Sequence, residues 1–203
     1  MGYMTSLSEI YDDACIKLEG RLSQYRYLHS LSVSDVAVMM AQDFAVDPMY
    51  ARVAGLLHDW DKCYSDEELI ERALAFKIDL ADDPQILAPL LHAQTGAVAV
   101  AREYPDLPQE IVQAVARHTS AALDMTKLDM IIYVADLVEP LRTGPNIQYY
   151  RSLADNSTLE ELFCKCYQST LYHLIRRRRY LHPDSVKIWN VYGADPAPRQ
   201  RGG

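Results

Sequence analysis

Four polar residues could do chemistry together: His29, the adjacent pair His58-Asp59, and Asp136. Each sits in a stretch that otherwise reads as buried helix. An imidazole or a carboxylate in an apolar helix is costly unless something compensates it. A metal cation compensates both types at once, and it can drive hydrolysis. Mixed nitrogen and oxygen donors suit Fe, Mn, Co or Zn better than Ca or Mg. Taken alone, Asp136 among Ile131, Ile132, Val134, Ala135, Leu137 and Val138 also reads as a carboxylate in a buried hydrogen bond or ion pair. The His58-Asp59 pair narrows the choice, because it closes the apolar run Ala54-Gly55-Leu56-Leu57. One imidazole and one carboxylate at that end can reach a single cation.

The elements that must position these residues all read as helices. A first helix spans about 6–20. A second, about 32–45, carries the stripe Val33, Val36, Ala37, Met40, Ala41 and Phe44, which makes His29 a residue near a helix start. Asp47-Pro48 caps a short helix running to His58, apolar on most sides and therefore central. Ser65 with Glu68 is a capping box for a polar helix to about 77. Asp83-Pro84 opens a longer helix to Glu103. Pro105 and Pro108 mark the next boundary, before a stripe of Ile111, Val112 and Val115 that ends near His118. Thr126 with Asp129 caps the helix of Asp136, and Pro140 limits it. Ser157 with Glu160 reads as a further capping box, opening a helix through Leu162, Phe163, Cys166, Tyr167, Leu171, Leu174 and Ile175. The segment Thr143-Gly144-Pro145-Asn146 reads as a turn. With no alternating strand pattern, repeat or linker, the expectation is one all-α domain over residues 1–193. A tail at 194–203, rich in Pro, Gly and Arg, is expected to be disordered.

Composition limits the functions open to such a domain. A 203-residue chain, 49% hydrophobic and 24% charged, suits one good core. A net charge of −8 argues against nucleic-acid binding through a basic surface. A small anionic ligand remains compatible, because local cations act within a Debye length of about 8 Å. No apolar run has membrane-spanning length, and the N-terminus lacks a signal-peptide pattern. Met1-Gly2 with Ser6 matches a myristoylation pattern only formally. Cys15, Cys63, Cys164 and Cys166 form no zinc-type pair and no disulfide framework, so they read as reduced cysteines of a cytoplasmic protein.

Five ordered blocks around the four residues carry a resemblance. They are Arg26-Tyr27-Leu28-His29; Ala54-Gly55-Leu56-Leu57-His58-Asp59 with Lys62; Leu91-His92-Ala93 with Gly96-Ala97; Arg117-His118-Thr119 with Met125-Thr126; and Tyr133-Val134-Ala135-Asp136 with Glu139-Pro140 and Arg142. The late segment His182-Pro183-Asp184-Ser185 adds to them. Together the chain resembles the HD-domain phosphohydrolases, and within them the YqeK family of symmetrical diadenosine-tetraphosphate hydrolases. The resemblance covers roughly residues 20–190.

That resemblance implies an HD-type helical bundle with the metal held by His29, His58, Asp59 and Asp136. It implies cleavage between the two central phosphates, giving two ADP. Iron is the metal it suggests, with Mn, Co or Zn compatible and one metal favoured over two. Asp59 is the candidate to orient or deprotonate water, with His58 beside it as the other catalytic candidate. Arg26, Lys62, His92, His118, Thr119 and Arg142 are expected at the substrate. His92 and His118 have two other readings, as satisfied core histidines or as ligands of a second metal. The expected partner is a dinucleoside polyphosphate or ADP-like nucleotide, with a homodimer left open. Another HD phosphohydrolase activity, on an alarmone, cyclic nucleotide or nucleoside phosphate, is the alternative, as is a nucleotide sensor of low turnover. One departure concerns Ser120-Ala121-Ala122-Leu123-Asp124, which lacks the expected glycine and adds an acid. The run Arg176-Arg177-Arg178-Arg179 reads as a solvated helix C-terminus, with a contact to the distal nucleotide or to an acidic partner as the other readings.

Overall fold

A computed structural model describes residues 5–80, 82–144, 147–154 and 156–194. Ten helices and no strand occur among them: α1 (Leu7–Arg21), α2 (Gln24–Asp43), α3 (Pro48–Leu57), α4 (Asp66–Ala75), α5 (Pro84–Glu103), α6 (Gln109–Arg117), α7 (Lys127–Val138), α8 (Ile147–Leu153), α9 (Leu159–Arg176) and α10 (Ser185–Tyr192). The fold is all-α. No helix of the described residues is long and apolar enough to cross a membrane. The pattern at Met1-Gly2 and nearly all of the 194–203 tail lie outside the described residues.

Side-chain caps start most of these helices where the sequence predicts. Ser65 and Glu68 form a reciprocal capping box on α4, and Thr126 and Asp129 form one on α7. Asp47 and Asp83 cap α3 and α5 just ahead of a first-turn proline. Three expectations need correction. The box of α9 is Thr158 with Glu161, one residue later than Ser157 with Glu160; this register buries Leu159 and Leu162. Helix α2 begins at Gln24, capped by Ser23, so His29 stands in its second turn and not near its start. Helices α8 and α10 were not anticipated, because α8 buries none of its residues and α10 only Ser185 and Ile188.

Helix α3 is central, packed against α1, α2, α6 and α7. Helix α7 is buried along most of its length and also meets α9. Helices α4 and α5 close a smaller apolar cluster of Leu69, Ala73, Leu87 and Leu91. The approach of α3 to α2 depends on Gly55. A Cβ there would stand 2.8 Å from Ser34 Cα, inside van der Waals contact. Without that side chain the two backbones close up, and the end of α3 comes level with His29. All four cysteines are free.

Candidate metal centre

The residues picked from the sequence converge at this level of the bundle. His29 comes from α2, and His58 caps the C-terminus of α3. Asp59 follows in a turn held by backbone bonds from Trp60 to Leu57 and from Lys62 to Asp59. Asp136 sits in the last turns of α7. His92 lies midway along α5, and His118 caps α6. All four histidines and Asp59 are buried. Asp136 keeps 23% side-chain exposure, which leaves the cluster one wet edge.

Each imidazole presents Nε2 to the centre, because Nδ1 is engaged elsewhere. His58 Nδ1 donates to the Gly55 carbonyl at 2.7 Å, and His118 Nδ1 to that of Val115 at 2.7 Å. His92 Nδ1 lies 3.0 Å from the Pro89 carbonyl. His29 Nδ1 instead meets the Glu139 carboxylate at 3.0 Å. With Nδ1 carrying the proton, a neutral ring offers a bare Nε2 lone pair.

Those lone pairs face one another. His29 Nε2 is 3.3 Å from His58 Nε2, and His92 Nε2 is 3.2 Å from His118 Nε2. Two acceptors at such distances repel unless a proton or a cation lies among them. Asp136 Oδ1 stands 3.0 Å from His29 Nε2 and 3.8 Å from His58 Nε2. Asp59 spans both pairs. Its Oδ2 is 3.6 Å from His58 Nε2 and 3.9 Å from His29 Nε2, while its Oδ1 is 3.4 Å from His92 Nε2 and 3.8 Å from His118 Nε2. Two donor groups are close enough to hold an ion: His29, His58 and Asp136, and separately His58, Asp59 and His118. Inward lone pairs, two carboxylates and burial fit a divalent transition metal.

The electrostatics agree with a site organised around positive charge. Burial alone would raise Asp59, but the imidazoles of His58, His92 and His118 packed against it, with a hydrogen bond from His92, hold it well below the usual carboxylate range. Burial likewise opposes ionisation of Asp136, and the His29 hydrogen bond, with the neighbouring His58 ring and the Arg142 charge, overcomes it. Burial drives His58 down and pushes His118 down to about 3, so both rings stay neutral. For His29, burial is outweighed by Asp136 and Glu139, and its value rises. A proton on His29 Nε2 and a metal there are therefore alternatives.

Three of the expected substrate-side residues, Arg26, Lys62 and Arg142, touch the cluster directly. Arg26, in the first turn of α2, donates to Asp59 Oδ2 at 3.1 Å. Arg142 reaches Asp136 through both its side-chain oxygen and its carbonyl. Lys62 Nζ stands 3.1 Å from His92 Nδ1. Burial draws Lys62 down, with Asp59 opposing it. Thr119 follows His118 in the turn after α6, half-buried. The loop after it departs from a glycine-bearing one as the sequence suggests. Ala121 takes the left-handed conformation, φ 60°, at a cost of about 1 kcal/mol, and Asp124 pairs with Arg117 at 3.0 Å. Arg176 ends α9, and Arg176 to Arg179 are all exposed.

Sequence reasoning gave no role to two buried acids. Glu139 holds His29, and its one sequence signal is its place three residues after Asp136. Asp61 receives a two-pronged contact from Arg72, 3.0 Å at each oxygen, with Arg21 at 3.5 Å. That anchor pins the turn carrying His58, Asp59 and Lys62 between α1 and α4.

The HD domain family profile matches residues 26–141, which spans every residue of the cluster. The symmetrical bis(5'-nucleosyl)-tetraphosphatase of Bacillus subtilis (strain 168) is 31% identical over 180 residues, covering 87% of this chain and 93% of that protein. Its namesake from Staphylococcus aureus (strain NCTC 8325 / PS 47) is 28% identical, covering 85% and 89%. Among solved structures, an HD superfamily hydrolase from Clostridium acetobutylicum, described as involved in NAD metabolism, superposes with a TM-score of 0.85. It is 29% identical and covers 94% of this chain and 98% of its own.

Proposed function

The chain belongs to the HD domain family, and from that premise we propose that it is a metal-dependent phosphohydrolase that cuts diadenosine tetraphosphate symmetrically into two ADP. The observation that carries this reading is the convergence of His29, His58, Asp59 and Asp136, with Arg26, Lys62 and Arg142 in contact with the same cluster. His29, His58, Asp59 and Asp136 would hold the metal. When bound, a divalent cation supplies Lewis acidity for phosphoryl transfer to water.

The rest of the chemistry falls to the chain's own side chains. A water oxygen forms a bond to one of the two central phosphorus atoms, and the bond from that phosphorus to the bridging oxygen breaks. One ADP leaves with the bridging oxygen and the other carries the oxygen of water. Asp59 orients or deprotonates the water. His58 fixes Asp59 by position, 3.6 Å from its Oδ2. Arg26, Lys62 and Arg142 bind the phosphate chain and offset the charge that grows on the leaving ADP. His92 and His118 face the other oxygen of Asp59, where a phosphoryl oxygen or a second cation would sit, and Thr119 follows His118 as a further candidate for the substrate. The 3.2 Å approach of the His92 and His118 Nε2 atoms favours the second cation as an alternative to a single-metal site.

Iron is our preferred metal, with Mn, Co and Zn chemically admissible at the same donors. We read residues 1–193 as one catalytic domain of a cytoplasmic enzyme that takes small nucleotides and not nucleic acid, and that pairs as a homodimer if an apolar helix face is covered. The test is purified protein supplied in turn with Fe(II), Mn(II), Co(II) or Zn(II) and diadenosine tetraphosphate. ADP as sole product is expected. ATP plus AMP would overturn symmetrical cleavage. No turnover with any of the four metals, alongside hydrolysis of an alarmone or cyclic nucleotide, would favour the alternative substrates.

A further inference from the structure

His29 is gripped at both ring nitrogens by one helix end. Asp136, in the last turns of α7, stands 3.0 Å from Nε2. Glu139, the C-cap of the same helix, stands 3.0 Å from Nδ1. The other three histidines of the cluster turn Nδ1 to a carbonyl three residues back, a contact each supplies for itself. Of the four histidines, His29 alone takes its Nδ1 partner from another helix, and that partner is a carboxylate as fully buried as any described residue. The second oxygen of Glu139 accepts the Leu141 N–H at 2.7 Å. Arg151 secures the same stretch from α8, donating to the carbonyls of Val138, Glu139 and Arg142.

From this arrangement we propose that Glu139 is a positioning residue for the metal centre, fixing the tautomer and aim of His29 and strengthening Nε2 as a donor. The proposal rests on the metal-centre reading above. The chemistry selects the residue type. A carboxylate accepts from His29 Nδ1–H and from Leu141 N–H at once. An amide has one acceptor and would turn its NH2 toward one of two donors. Aspartate, one methylene shorter, cannot span both. An anion on Nδ1–H also pushes electron density toward Nε2, and losing such a partner costs a metal site about 10- to 100-fold in affinity.

The test uses the full chain loaded with Co(II), whose visible spectrum reports the donors directly. Glu139→Gln and Glu139→Asp should bind Co(II) 10- to 100-fold more weakly, with shifted absorption bands, while their metal-free melting temperatures show how much fold is lost. His29→Ala serves as the control. If His29→Ala loses Co(II) but Glu139→Gln keeps wild-type affinity and spectrum, the role given to Glu139 is wrong. If His29→Ala itself retains Co(II) unchanged, the metal-centre reading fails first. A Glu139→Gln protein with a lowered metal-free melting temperature but an unaltered spectrum and affinity would reduce Glu139 to a structural residue and overturn the proposal.

Discussion

His29 Nε2 and His58 Nε2 lie 3.3 Å apart, with both Nδ1 atoms engaged by other partners. The packing of α2 on α3 holds the pair together, and with neither Nε2 protonated two lone pairs oppose each other, which a cation relieves. Adding a divalent metal to chelated protein should therefore raise its melting temperature. A ligand at a hundred times its dissociation constant stabilises by about 2.7 kcal/mol, which for a chain of this size is roughly 5–10 °C. His29→Ala and Asp136→Ala should lose that rise in a thermal melt. A wild-type melt that ignores Fe, Mn, Co and Zn would remove the site.

Asp59 is the one residue whose two oxygens face both histidine pairs. Asp59→Ala should lower turnover by about 100- to 10,000-fold, the usual worth of a positioned base, and weaken metal retention as well. Circular dichroism should report helix content close to wild type. Normal activity in that variant would mean that the catalytic centre lies elsewhere.

Arg142 touches Asp136 and stands at the wet edge. Its loss should be felt mainly in substrate binding. A hydrogen bond to a charged group is worth about 1.5–3 kcal/mol, so Arg142→Ala should raise KM by roughly 10- to 100-fold. Metal content measured on the same sample separates this from a loosened Asp136. An unchanged KM would take Arg142 out of the pocket.

Much of this was legible in the sequence because the signals are local. Ser65 with Glu68 and Thr126 with Asp129 act within one helical turn, and the apolar run before His58 marks α3 as central. What was not legible depends on distance along the chain. Glu139 meets His29 across 110 residues, and nothing in either neighbourhood announces the contact. Asp61 looks like any turn aspartate until Arg72 and Arg21 close on it. The early start of α2 was hidden because Gln24, Tyr25 and Leu28 carry no buried stripe; capping by Ser23 sets that boundary. Helix α8 buries no residue and so leaves no periodic trace.

Gly55 ties that local pattern to the site. Its missing side chain lets α3 lie against Ser34 of α2, and its carbonyl holds His58 Nδ1. Gly55→Ala forces a methyl into a gap that is already closed. The cost should be about 1–3 kcal/mol, read as a lower melting temperature, together with weaker metal binding as His58 moves away from His29. Unchanged stability would show that the two helices can part freely.

Chelated protein should lose stability in acid, and His118 should account for part of the slope. His118 is faced by His58, His92, Asp59 and Asp136, and burial holds it at about 3 against an ordinary imidazole value of 6.5. Between those values the unfolded chain takes up a proton that the folded chain refuses, so stability falls as pH falls from 6.5. Each such group contributes a slope of up to about 1.4 kcal/mol per pH unit. His58, also driven down by burial, adds in the same direction. Asp59 and Asp136, held low, give stability that is full above 3.8 and drains away only below it. His29, raised, behaves oppositely: its contribution is complete below 6.5 and is lost as pH climbs through its folded value. It therefore does not oppose the acid slope. His118→Gln should flatten the decline between pH 6.5 and 4 by about one group's worth. Denaturant melts at several pH values test this, and a wild-type stability flat across that interval would contradict neutral, buried rings at His58 and His118.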